Sequence, residues 1–226
     1  MPEPVPAPPP THPKTLADPA AVAARRALLD APHLAPLRAL AARIRAERGA
    51  PVPEPDPLDG GVAARLLLLL ETPGPSIGRT AFVSRDNPTG TSANLFRFLA
   101  EAGLARTDTL IWNAVPWVIH APGARNRAPR TGEIREAVPY LVPLLDLMPR
   151  LAVAVLSGRV AQTLAPVLAA ARPDVPVIGV PHPSPTYVCT SPAVPARIRA
   201  GLGEAARRLT DAPSPPVRLA IPSGSA

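Results

Sequence analysis

The chain has a single cysteine, Cys189, in 226 residues. One thiol cannot close an intramolecular disulfide, and it cannot supply a four-cysteine metal site. Lysine is nearly missing too: Lys14 is the only one, so the formal charge of +7 rests on arginine. Aromatic residues make up 3%, which excludes a single-strand-binding surface paved with stacking rings. No apolar run approaches the roughly 18 residues of a membrane-spanning helix, and the leucine run 66–70 has the length of a strand. The N-terminal residues are proline-rich and lack the charged-then-apolar order of a secretory signal. A cytoplasmic protein is therefore expected.

What is present is a 46% hydrophobic composition, ordinary for a globular protein with one sizeable core. The excess of arginine points to an anionic partner, nucleic acid first. An arginine-, alanine- and proline-rich composition produces the same excess without a binding surface. Residues 1–17 read as a disordered proline-rich tail. Asp18-Pro19 then sets an N-cap followed by proline at the first helical position, opening a helix to about Asp30. A second helix is expected over 33–48, with Leu34, Leu37, Leu40 and Ile44 on one face and Gly49 as its stop. Pro51, Pro53, Pro55 and Pro57 read as an extended linker, so 18–58 would be helices plus linker.

From residue 59 to 210 short β-rich runs alternate with helical segments. Strands are expected over 65–70, 109–112, 151–156 and 177–180. Helices are expected over 94–102, 131–147, 157–171 and 195–209. The alternation implies a three-layer α/β/α sandwich around a central, mainly parallel four-stranded sheet. Residues 211–226 read as a second disordered tail.

Ligands of open parallel sheets bind beyond the C-terminal ends of the strands. Each expected strand ends on polar groups: Glu71-Thr72-Pro73-Gly74, then Asn113, then Ser157-Gly158-Arg159, then His182-Pro183-Ser184-Pro185. Pro181, Pro183 and Pro185 stiffen the chain around His182 and Ser184. Each group has a bland alternative: a solvated Glu71, a turn Asn113, Ser157 as a helix N-cap, Arg159 on the surface, His182 as a strand cap. Their coincidence at all four ends favours acid–base chemistry with an amide that reads a planar polar ligand.

These stretches resemble the uracil-DNA glycosylase superfamily from about Asp59 to Leu209, nearest the branch that carries an iron–sulfur cluster. Glu71-Thr72-Pro73-Gly74 resembles the first active-site motif. Phe82-Val83-Ser84, before Asn94-Leu95-Phe96, resembles the segment that stacks an aromatic on uracil. Ile111-Trp112-Asn113 resembles the base-reading strand. Residues 122–130 resemble the loop that follows it in that branch, and His182-Pro183-Ser184-Pro185 resembles the last motif. The resemblance implies hydrolysis of the N-glycosidic bond of uracil or a related deaminated base in single- or double-stranded DNA, by base flipping. It assigns Glu71 and His182 the catalysis and Asn113, Phe82, Thr72, Pro73 and Gly74 the base. It assigns Ser184, Pro185, Tyr187, Ser157, Arg125, Arg127 and Arg130 the DNA. Tyr187, or else Thr186, would be the wedge.

The cluster-bearing branch has cysteines where Trp117 and Ala137 stand here, and Cys189 cannot replace four ligands. The expectation is no iron–sulfur cluster, no metal and no other cofactor, with Trp117 packed in the vacated space. In the fastest branch an aspartate follows the leading residue of the first motif; Thr72 stands there, so acid chemistry falls to Glu71. Three alternatives stay open: a DNA-binding relative without excision, a hydrolase of small nucleotides, and an interaction module recruited through the tails. A monomer working at the bacterial nucleoid is expected.

Overall fold

The computed structural model describes residues 9–74, 77–121, 124 and 127–211. In chain order the elements are α1 (Pro19–Arg26), α2 (Ala35–Arg48), β1 (Glu54–Pro55), β2 (Leu66–Leu70), α3 (Ile77–Thr80), β3 (Phe82–Val83), α4 (Gly90–Glu101) and β4 (Thr109–Asn113). There follow α5 (Thr131–Asp146), β5 (Val153–Ser157), α6 (Arg159–Gln162), α7 (Ala165–Ala171), β6 (Val177–Val180), α8 (Pro185–Val188) and α9 (Ala193–Asp211).

The central sheet has the order β4-β2-β5-β6 and every pairing is parallel. β2 is five leucines in a row because both of its faces are covered. Leu67 and Leu69 point into one core with Leu110, Trp112, Ala154 and Leu156, closed by α2, α5 and α7. Leu66 and Leu68 point into the other with Ile111, Val153 and Val155, closed by α4 and α9. The period of two sorts each strand between the layers, and the three-layer α/β/α sandwich follows. No helix among the described residues is long and apolar enough to cross a membrane.

Several expected boundaries move. The first helix stops at Arg26 rather than Asp30. The single helix over 157–171 is two: Ser157 belongs to β5, and Thr163 and Leu164 separate α6 from α7, whose first turn holds Pro166. Conversely, Pro139 and Pro143 do not break α5. They lie away from the face that buries Ala137, Tyr140, Leu141, Leu144 and Leu145.

The reading of 1–17 as a tail is corrected for its second half. Thr15–Ala17 form a 3-10 turn, Leu16 is buried against Val22 and Phe82, and its amide donates to the Asp86 carbonyl at 3.1 Å. Residues 1–8 and 212–226 lie outside the described residues. The linker reading is corrected too. β1 pairs in parallel with β3, an edge position that tolerates proline. Asp56 and Asp59 are buried beside it.

They belong to a cluster of three carboxylates and three guanidiniums. Arg25 reaches Asp56 at 2.5 Å and Asp86 at 3.0 Å. Arg106 reaches Asp56 at 2.8 Å, Asp86 at 2.9 Å and Asp59 at 3.1 Å. Arg85 lies 3.6 Å from Asp59. The cluster ties α1 to the segments that carry β1 and β3.

Candidate functional site

The parallel sheet delivers four loop starts to one edge. Glu71 follows β2, Asn113 ends β4, Ser157 ends β5, and His182 stands two residues beyond β6. Glu71, Asn113 and His182 line one open cavity of about 550 Å³, together with Thr72, Pro73, Gly74, Phe82, Ser184, Tyr187 and Arg127.

Glu71 is held from below. Its Oε1 accepts from the Val160 amide at 3.2 Å. Gly158, at φ +95, makes this approach possible, because a Cβ built there would overlap the carboxylate. Only glycine adopts that conformation without strain. The Gly158 amide is spent on the Val180 carbonyl at 2.9 Å, which locks the β5–α6 turn to β6.

His182 is fixed by its own loop. The Ser184 amide donates to Nδ1 at 3.2 Å, so in the neutral ring the proton sits on Nε2. Burial lowers the His182 pKa below its ordinary 6.5, and the nearby Glu71 charge pulls it part of the way back. The ring is thus a neutral N–H donor at pH 7, with a carboxylate close by. The loop around it rests on α4: Asn94 Nδ2 donates to the Pro183 carbonyl at 2.9 Å. Pro185 packs so closely on Gly90 that any Cβ there would collide with its ring.

Asn113 is 4% exposed, and no described group hydrogen-bonds its amide. A buried amide facing a cavity without a partner is suited to a polar ligand, since leaving it unpaired costs about 1–3 kcal/mol. Phe82 is fully buried and packs on Leu16 and Val22 while bordering the cavity. Phe82 is therefore a core residue as well as a part of the cavity wall.

Other expected site residues fall elsewhere. Ser157 is 2% exposed and donates to the Pro181 carbonyl at 3.4 Å. It neither caps α6, whose N-cap is Gly158, nor faces a phosphate; it braces the His182 loop. Pro185 does not line the cavity but wedges that loop onto α4. Arg127 lines it with its guanidinium bound to Glu133 at 2.5 Å and to the Ile119 carbonyl at 2.7 Å. Arg130 is exposed, away from the cavity, and its amide donates to Glu133 at 2.7 Å. Arg125 lies outside the described residues.

The structure adds Ser84, Asn87, Thr89, Thr91 and Ser92 to the wall. Thr89 caps α4 through the Ser92 amide at 3.1 Å, and Asn87 Nδ2 donates to the Phe82 carbonyl at 2.8 Å. The polar run between the Phe82 stretch and α4 was the available signal.

The chain is thus a parallel α/β protein in which a carboxylate, a neutral imidazole and an unpaired amide share one open cavity. Compared with known families, the chain matches the uracil DNA glycosylase superfamily over residues 59–200, more than half of its length. It belongs to that superfamily, whose members act on DNA, and membership supports a glycosylase-like function. No curated protein matches the chain.

Proposed function

We propose that the protein excises uracil, or a closely related deaminated base, from DNA by hydrolysing the N-glycosidic bond. The observation that carries this reading is the convergence of Glu71, Asn113 and His182 on one cavity at the C-terminal edge of the sheet. Breaking the bond leaves positive charge on the sugar and negative charge on the departing base. Fixed charges and dipoles aimed at both lower the barrier. The Glu71 carboxylate faces the cationic sugar and orients the attacking water. The His182 Nε2–H donates to the base oxygen as it becomes anionic. The Asn113 amide, with one acceptor and two donors, matches the N3–H and O4 edge of uracil and mismatches cytosine. Phe82, its own ring fully buried, backs the wall behind the flipped base, and Tyr187, 46% exposed among the cavity-lining residues, fills the gap left in the stack.

In this reading the chemistry is cofactor-free. Where the related branch has cluster cysteines, this chain has Trp117 and Ala137, both buried in the sheet–α5 core. Trp117 meets Tyr140 edge-on at 6.2 Å and lies under the Arg48 guanidinium at 4.7 Å. Neither residue offers a thiolate, so the site does not fit an iron–sulfur cluster.

Incubation with single-stranded oligonucleotides carrying uracil, hypoxanthine, thymine or cytosine, followed by alkali, tests the reading. Strand scission at uracil and none at cytosine is expected; salt-sensitive binding without scission at any base would leave a DNA-binding relative. The rate should also fall on the acid side. Protonating His182 puts an N–H on Nδ1 against the Ser184 amide, and burial holds its pKa below the ordinary histidine value, so kcat/KM should stay level through that ordinary value and drop only at lower pH. Gly158→Ala should lower kcat about 10²-fold by displacing Glu71, with a far smaller loss of strand affinity.

A further inference from the structure

A second cavity, of about 450 Å³, lies outside the site just described. Its apolar wall is Leu16, Val22 and Pro88, and its cations are Arg26 of α1 and Arg79 of α3. Both arginines are exposed, and neither has a hydrogen-bond or ion-pair partner among the described residues. The neighbouring Arg25, by contrast, is committed to buried carboxylates, as are Arg85 and Arg106.

The two cavities share the same two segments. Asn87 and Thr89 line the first and Pro88, between them, lines the second. Ile77 lines the first and Arg79 the second. These segments are thus a wall common to both cavities, one that a strand leaving the first would have to cross to reach the second. Its volume is that of a small-ligand site, its apolar wall suits the face of a base, and its two guanidiniums suit phosphate oxygens.

We infer that this cavity holds a neighbouring nucleotide of the same DNA strand, with its base on Pro88 and its phosphates on Arg26 and Arg79. The inference rests on the proposed glycosylase reading. It also goes beyond the superfamily, because Leu16, Val22 and Arg26 precede the matched residues 59–200. Such a subsite is tolerant of sequence, since every base has an apolar face.

The test compares wild type with R26A/R79A on single-stranded uracil oligonucleotides trimmed stepwise from either end. For wild type, trimming one end is expected to raise KM about tenfold with kcat unchanged. For the variant, KM on the long strand is already raised, trimming that end has no further effect, and the log–log salt slope of strand binding falls by about 0.7 for each lost phosphate contact. The same response to trimming in both proteins would overturn the inference and leave the cavity to the chain's own N-terminal residues or to a protein partner. Absence of excision by wild type on every strand would instead remove the catalytic reading, and this inference with it.

Discussion

Glu71→Gln is expected to lower the rate of base release about 10²–10⁴-fold while strand affinity changes only a few-fold. Glutamine has the shape of glutamate and keeps an oxygen for the Val160 amide, which Glu71 Oε1 meets at 3.2 Å. Gly158 leaves the same room for it. What disappears is the negative charge that would face the cationic sugar. A second consequence separates loss of charge from loss of structure. The Glu71 charge props up the pKa of His182 against burial. Without it, the residual activity of the variant should hold to lower pH than that of wild type. Single-turnover rates across pH, with strand binding followed by anisotropy, check both statements. A Glu71→Gln variant as fast as wild type would remove the carboxylate from the mechanism.

Asp56→Ala should have the largest effect on folding, about 3–5 kcal/mol of stability. Asp56 is 1% exposed and accepts from Arg25 at 2.5 Å, Arg106 at 2.8 Å, the Leu58 amide at 3.0 Å and the Ser84 hydroxyl. Burial pushes its pKa up, but Arg106, Arg25 and these hydrogen bonds outweigh burial and hold it below the usual carboxylate value. Removing it leaves three buried guanidiniums facing Asp59 and Asp86. In wild type Asp59 is held the other way: burial raises its pKa to about 7 despite Arg85 and Arg106.

The two aspartates act on stability in opposite senses. Asp56, depressed in the fold, contributes stability that is lost as pH falls below its unfolded value of 3.8. Asp59, raised in the fold, weakens folding as pH climbs from 3.8 towards 7. Chemical denaturation of wild type and Asp56→Ala at pH 7 reads the first effect directly. Equal midpoints would show that the cluster contributes no net stability.

The sheet and its chemistry-bearing edge were legible in the sequence because both rest on local patterns. The leucines of β2, the β-branched and apolar run of β5, and the polar residue after each strand are visible at short range. α5 kept its expected span because apolar spacing outweighed two prolines on its outer side. The buried ionic cluster was not legible. Its partners are 31, 61 and 50 residues apart in the pairs Arg25–Asp56, Arg25–Asp86 and Arg106–Asp56, and nothing local marks an arginine for burial. For that reason residues 51–57 read as a linker, and residues 9–17 read as tail. Ser157 misled for a related reason. Serine before glycine and a helix suggests a cap, but Gly158 takes the turn and leaves the hydroxyl to the Pro181 carbonyl. Arg127 is basic in sequence, yet its guanidinium is tied to Glu133, which also accepts from the Arg130 backbone amide, and that pairing depends on where α5 begins.

In the proposed function Glu71, Asn113 and His182 form one hydrolytic site for a base in DNA. Its most direct test is to capture what the purified protein releases from a uracil-containing single strand. Wild type is expected to release free uracil and leave an abasic strand of matching amount, while Glu71→Gln and His182→Ala variants release about 10²-fold less or lower under the same conditions. Release at the wild-type rate by both variants would take Glu71 and His182 out of the chemistry, and no uracil from wild type on a strand that it binds would leave a DNA-binding protein without excision.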